Sequence, residues 1–261
     1  MAIGKELALT TAKQTNRPND AEDMLKSAEA AMNTNHSVRY NGATRLIAST
    51  LGVLVGAGSI DHGLLECLQG SHPTPGLIVN ALGAGYRWTV WKQGGEGAFT
   101  LVPNFLITGI VATLLGVLTI VWSIRFIPSR HGPSVFLSLS IASFLTGGGV
   151  AQILLFTLTW ALATRIHASL AFGRRFIPRS VRSVLSRVWP WTLVASTVLF
   201  ATALEIAIFG YVPGVSEQTE ILYICWKILA IVLTLFLLSI VSGFACDIEA
   251  ASSKEETQHR T

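Results

Sequence analysis

Long apolar stretches alternate with short polar connections along this chain, which begins and ends with polar segments. Four stretches reach the roughly 20 apolar residues that an α-helix needs to cross a hydrocarbon core of about 30 Å. They are residues 103–124, 135–164, 191–211 and 221–245. A fifth stretch, 46–66, is long enough only when the polar cluster at its end is included. The pattern predicts an all-α fold, a polytopic transmembrane helix bundle over residues 44–245.

Residues 76–91 decide the number of spans, because this segment is short and contains Asn80 and Arg87. If it crosses, the protein has six spans with both chain ends on one side. If it is re-entrant or interfacial, there are five. Six spans are favoured, since five would carry the polar segment 1–43 across the membrane without a signal. In the six-span arrangement Arg125 and Arg130 lie outside.

The loop 165–189 sets the orientation, because it carries six arginines and no acidic residue. The positive-inside rule places this loop in the cytoplasm, together with the polar C-terminal tail 246–261. The N-terminal segment 1–43 has few large apolar side chains and is therefore predicted to be a disordered cytoplasmic tail.

The stretch 135–164 is longer than one upright span requires. It contains three consecutive glycines, Gly147 to Gly149. Each glycine weakens a helix by about 1 kcal/mol relative to alanine. The sequence therefore predicts either a strong tilt or an interruption of the helix at the glycines.

Composition supports a membrane protein, with 51% hydrophobic and only 13% charged residues. The net charge of +4 is modest and comes largely from one loop, so it does not indicate nucleic-acid binding. The three cysteines are scattered, with neither a disulfide pattern nor a zinc spacing. No metal and no cofactor are predicted, and the expected partner is the lipid bilayer.

Two stripes of small residues at helical spacing predict close helix packing, because small side chains let membrane helices approach each other. The stripes consist of Ser49, Gly52, Gly56, Ser59 and Gly63 in the first span, and of Gly109 and Gly116 in the span 103–124. Ordinary packing within the bundle is the main interpretation. A homo-oligomer or a membrane partner held through these glycine seams is the alternative.

The end of the first span carries Asp61, His62 and Glu66. Ionisable groups at membrane depth cost about 2.5–3.5 kcal/mol each on insertion scales, and are therefore functional-site candidates. At about 100° per residue, His62 and Glu66 lie about 40° apart and face the bundle interior, while Asp61 points to the other side. A proton relay, two ligands of a metal and polar packing at a helix end all remain open.

Glu205 and Lys227 lie at similar depths on two helices that a short loop joins. They are predicted to form an ion pair, and in the six-span arrangement they share the outer half of the bundle with Asp61, His62 and Glu66. The predicted function is binding or movement of a small solute or ion at this polar site. The alternatives are a membrane-embedded enzyme that uses His62 and Glu66 as acid/base groups or metal ligands, and a non-catalytic membrane subunit; a non-enzymatic role is favoured.

Overall fold

A computed structural model describes residues 41–82, 91–92, 95–170 and 177–258. The described residues form six helices and three short strands. In chain order these are α1 (Gly42–Gln69), β1 (Ile78–Asn80), β2 (Gly97–Thr100), α2 (Phe105–Arg125), α3 (Gly132–Phe144), β3 (Thr146–Gly149), α4 (Gln152–Ala163), α5 (Arg179–Phe209) and α6 (Gln218–Gln258). Four of these helices, α1, α2, α5 and α6, are long and apolar enough to span a membrane, which confirms the predicted helix bundle.

Parts of four predictions fall outside the described residues. They concern the polar tail up to residue 40, residues 83–90 of the segment 76–91, residues 171–176 of the basic loop, and residues 259–261 of the C-terminal tail. Disorder of the tail therefore stays a prediction.

Glycine and asparagine set several helix ends. The helices α1 and α5 end at Gly70 and Gly210, whose φ angles of 79° and 59° are positive. Glycine adopts this conformation without a steric penalty from Cβ and is therefore common just after a helix. The helix α2 begins after Asn104, whose side chain accepts a hydrogen bond of 3.2 Å from the backbone N–H of Ile107.

The glycine seams lie between α1 and α2, which pack against each other in antiparallel directions. A Cβ atom added to Gly56 would lie 2.6 Å from the carbonyl oxygen of Gly116, and one added to Gly63 would lie 2.6 Å from that of Gly109. The two backbones are thus almost in contact. The seams are therefore used for packing within the chain, as the main interpretation predicted.

The linker between α1 and α2 returns to the end of the bundle at which it starts. The backbone N–H of Phe105 donates to the carbonyl of His72 at 2.9 Å, and that of Thr74 donates to the carbonyl of Pro103 at 3.4 Å. The described residues on both sides of the segment 76–91 therefore lie at one end of the bundle, which does not fit its assignment as a sixth span. Its described part instead contains β1, which pairs with β2.

The stretch 135–164 is not one span. It contains α3 and α4, which pack side by side as a hairpin with β3 at the tip. With 13 and 12 residues, the two helices are only about 20 and 18 Å long at a rise of 1.5 Å per residue. The strand β3 pairs with β2 to complete an antiparallel sheet in the order β1-β2-β3. The helical pattern is thus interrupted at the three glycines, the second of the two predicted alternatives.

The start of α1 lies at the same end of the bundle as the end of α4 and the last part of α6. The side chain of Asn41 donates to the carbonyl of Arg165 at 2.8 Å, and the backbone N–H of Thr44 donates to Asp247 at 2.8 Å. This end is called the basic end. The opposite end, where α1 finishes and the sheet lies, is called the sheet end.

The loop between α2 and α3 also lies at the basic end. A ring nitrogen of His167 is 2.7 Å from the carbonyl oxygen of Pro128, and Ile127 is fully buried in the core cluster there. Arg125 and Arg130 flank this loop. The prediction that these two arginines lie opposite the loop 165–189 is therefore wrong, because the hairpin reverses the chain where a single span was expected.

Candidate ion-binding site

The site is built where α1 and β3 run side by side. A Cβ on Gly147 would lie 2.8 Å from Glu66 Oε1, and one on Gly149 would meet the imidazole of His62. His62 and Glu66 are four residues apart on α1, a rise of about 6 Å, and Gly147 and Gly149 are two residues apart on β3, a rise of about 6.7 Å. Each side chain therefore lies opposite one glycine, and both glycines are on the same face of the strand. Because neither glycine has a Cβ atom, both polar side chains of α1 can contact the backbone of β3.

Glu66 is the most unusual group in this site. Its relative exposure is 0%, and neither carboxylate oxygen has a hydrogen-bond partner among the described residues. An isolated buried carboxylate is costly, and proteins tolerate it only with a proton, a cation or a donor. Both carboxylate oxygens of the buried Glu66 are therefore able to bind a proton, a cation or a hydrogen-bond donor.

His62 pairs with Glu96, which comes from the linker just before β2. The distance between His62 Nε2 and Glu96 Oε2 is 3.6 Å, with the histidine side chain 8% exposed and the glutamate side chain 38% exposed. Glu96 also accepts a hydrogen bond from the backbone N–H of Ala151, at the start of α4. The positive end of the α4 dipole favours a carboxylate there. Glu96 therefore connects a buried histidine to the protein surface.

A small cavity of about 40 Å³ adjoins this pair. Its polar lining comes from Asp61, His62 and Glu96, and its apolar lining includes Leu65, Leu82 and Leu204. A water molecule needs roughly 10–15 Å³ of such volume. The cavity is therefore large enough for a few waters or a small ion and is small for an organic solute.

The predicted site residues divide into two groups. Asp61, His62 and Glu66 lie at the sheet end, and Glu205 on α5 is close enough to Asp61 to interact with it electrostatically. Lys227 does not belong to this group. Both Lys227, on α6, and Glu205 are exposed, and they do not form the predicted ion pair.

Sequence reasoning missed two residues of the site, Glu96 and Gln152. Ser59 Oγ donates to Gln152 Oε1 at 3.0 Å, while the buried Gln152 Nε2 has no partner among the described residues. Ser143 extends this polar group by donating to Ser59 at 2.8 Å. The signals in the sequence were an acid between two glycines, at position 96, and an amide at the first position of an apolar helix, at position 152.

Within the described ranges, no three His, Cys, Asp or Glu residues are arranged to hold a metal ion. No known protein family matches the sequence, and neither does any curated protein or solved structure. The function is therefore argued from the site alone.

Proposed function

We propose that this membrane protein binds a small cation, the proton included, at Glu66 and moves it across the bilayer. The observation that carries the proposal is the fully buried carboxylate with no hydrogen-bond partner on either oxygen among the described residues. Ionisable side chains inside membrane proteins characteristically mark ion pathways and proton relays.

The charges around the site favour a cation. Asp61 interacts electrostatically with His62, Glu96 and Glu205, and Glu66 lies one helical turn after His62 on α1. The described residues that line the cavity include neither lysine nor arginine. A recess with low-dielectric walls and one sign of charge concentrates ions of the opposite sign. The recess of about 40 Å³ is lined by His62, one helical turn before Glu66, and its size supports an inorganic cation rather than an organic solute.

Access to the site is one-sided. Glu96 reaches the surface at the sheet end and contacts the buried His62. Toward the basic end, the buried apolar cluster of Val55, Phe136 and Phe156 closes the bundle. A site that is open to one side and closed to the other is what alternating access requires.

Ion flux into proteoliposomes tests the proposal, with dyes for protons, sodium and potassium in parallel. We expect Glu66→Gln to abolish the flux that the wild-type protein supports, since the amide keeps the shape and removes the charge. The control is Glu217→Gln, which makes the same change at an exposed position in the loop before α6. Wild-type liposomes that move none of the three ions, or a Glu66→Gln variant with wild-type flux, would contradict the proposal.

We further propose that the basic end is cytoplasmic, because all arginines among the described residues lie toward it, whereas only the lysines Lys92 and Lys227 lie toward the sheet end. These arginines are Arg45, Arg125, Arg130, Arg165, Arg179, Arg182 and Arg187. Single cysteines at Ser71 and Ser129, which are exposed at opposite ends, test this with a membrane-impermeant maleimide. Position 71 should react in intact cells and position 129 only after permeabilisation; the reverse result would overturn the orientation.

A further inference from the structure

The buried Glu66 is connected to the protein surface through His62. Glu66 is fully buried, so an ion reaches it only through a neighbouring group or a movement of the chain. His62 lies one helical turn before Glu66 on α1. Its Nε2 atom is 3.6 Å from Glu96 Oε2, just beyond hydrogen-bond distance, and the Glu96 side chain is 38% exposed. The three side chains therefore form a series of exposed carboxylate, buried imidazole and buried carboxylate.

The imidazole and the Glu66 carboxylate both have unpartnered atoms. His62 Nδ1 and the two Glu66 oxygens are buried, and none of them has a hydrogen-bond partner among the described residues. The two side chains lie against Gly149 and Gly147, which are about 6.7 Å apart along β3. This separation is too long for direct transfer of a proton, but one water molecule with hydrogen bonds of about 2.8 Å on either side bridges most of it.

The donors at the site favour the proton over a metal ion. Hard cations are bound by several oxygen atoms, about six to eight for calcium, that replace their hydration shell. The polar lining of the recess instead comes from Asp61, Glu96 and the imidazole of His62. Metals that prefer imidazole take three or four side-chain ligands, and the described residues offer no such group of His, Cys, Asp or Glu. A proton needs a single lone pair, and chains of Asp, Glu and His are typical of proton relays.

On the basis of the proposed function, we propose that the cation is the proton and that His62 carries it between Glu96 and Glu66. In the inward step the O–H bond of protonated Glu96 breaks and an N–H bond forms at His62 Nε2. The proton on Nδ1 passes to the bridging water, which gives one of its own protons to the Glu66 carboxylate. Glu96 is then ionised, Glu66 is neutral, and His62 has changed its tautomer. Rotation of the ring, or the reverse transfer, restores the first tautomer.

The charged groups around His62 stabilise the imidazolium that forms during transfer. Asp61, on α1, interacts electrostatically with His62, and also with Glu96 and with Glu205 of α5. The strand β3, packed against the imidazole, contributes the uncharged Gly149. Carboxylates near an imidazole lower the energy of its positive charge, most strongly where water is excluded. A histidine suits the central position because each of its ring nitrogens can bind a proton.

The ion selectivity of the wild-type protein gives the first test. Proton flux into proteoliposomes is measured with a pH-sensitive dye and a permeant lipophilic anion that dissipates the membrane potential. We expect the same flux in sodium, in potassium and in N-methyl-D-glucamine. A proton flux that requires sodium or potassium, or movement of these ions without protons, would overturn the inference and leave the proposed function standing. Movement of none of the three ions would instead contradict the proposed function itself.

Proton currents across planar bilayers test the role of His62. We expect His62→Ala to lower the current at least about 100-fold, the usual contribution of a proton-transfer group. Imidazole, equal on both sides, should restore it by occupying the space of the deleted ring. In contrast, 1-methylimidazole should not, because its methylated nitrogen cannot pass a proton on. His72→Ala is the matched control, since His72 lies in the linker at the same end and does not line the recess.

Two results would overturn the relay through His62. One is a current of His62→Ala equal to that of His72→Ala, and the other is equal restoration by the two bases. If His62→Ala does not fold, the ion selectivity of the wild-type protein still decides whether the cation is the proton.

Discussion

The contact between Gly147 and Glu66 gives a sharp test of the site geometry. Gly147 has a φ angle of 107°, and a Cβ atom added there would lie 2.8 Å from Glu66 Oε1 and 2.9 Å from the carboxyl carbon. The substitution Gly147→Ala therefore combines backbone strain with a steric clash inside the site. Gly76→Ala is the control, because a Cβ at Gly76 meets nothing within 4 Å.

The two costs of Gly147→Ala are separable. A non-glycine residue in a disfavoured backbone region costs about 1–3 kcal/mol, and overpacking a filled interior costs about another 1–3 kcal/mol. We therefore expect a loss of about 2–6 kcal/mol in the free energy of unfolding. The control should stay within about 0.5 kcal/mol of the wild type.

A double-mutant cycle assigns the clash to Glu66. In a Glu66→Ala background the carboxylate is gone, so Gly147→Ala should cost only the backbone part, and the coupling should be about 1–3 kcal/mol. The measurement is unfolding in mixed micelles followed by tryptophan fluorescence. A Gly147→Ala variant as stable as Gly76→Ala, or one whose cost is unchanged when Glu66 is alanine, would refute the packing of β3 on α1.

Two further predictions concern single contacts. Asp247→Ala should lower the free energy of unfolding by about 1–3 kcal/mol in the same assay, because it leaves buried donors of Ala43 and Thr44 at the start of α1 without an acceptor. An unchanged free energy of unfolding would contradict the contact between α1 and α6. Glu96→Gln should keep the fold, since this side chain is 38% exposed, and should reduce ion flux less than Glu66→Gln does. An ion flux equal to that of the wild type would show that Glu96 is not part of the ion pathway.

The helix bundle was predictable because it depends on local properties. The length and hydropathy of a segment decide whether it forms an apolar helix, and these can be read along the chain. The 100° periodicity likewise showed that His62 and Glu66 face inward. The glycine stripe that contains Gly56 and Gly63 was correctly interpreted as a packing seam within the bundle, since helix spacing alone determines such a stripe.

The hairpin and the rest of the site depend on contacts between distant segments. Gly147 to Gly149 predicted an interruption, but the reversal of the chain depends on pairing between β3 and β2, which have no apolar pattern of their own. Glu96 directly precedes β2, and the pairing of β2 with β3 brings its side chain close to His62. The predicted ion pair between Glu205 and Lys227 was wrong for a different reason. It was inferred from their similar depth on two helices, but an ion pair also requires the two side chains to face each other.

Labelling of Glu66 by a hydrophobic carbodiimide tests the central claim most directly, because this reagent modifies carboxyl groups in apolar surroundings and the product is located by mass spectrometry. We predict that Glu66 is modified and that the cation which the protein moves changes the rate. Sodium or potassium in the labelling buffer should protect Glu66, whereas a proton ligand should make the labelling faster as the pH falls, because a carbodiimide reacts with the protonated carboxyl group. Failure to modify Glu66, or modification at the same rate under every ionic condition and pH, would contradict the assignment of Glu66 as the cation-binding group.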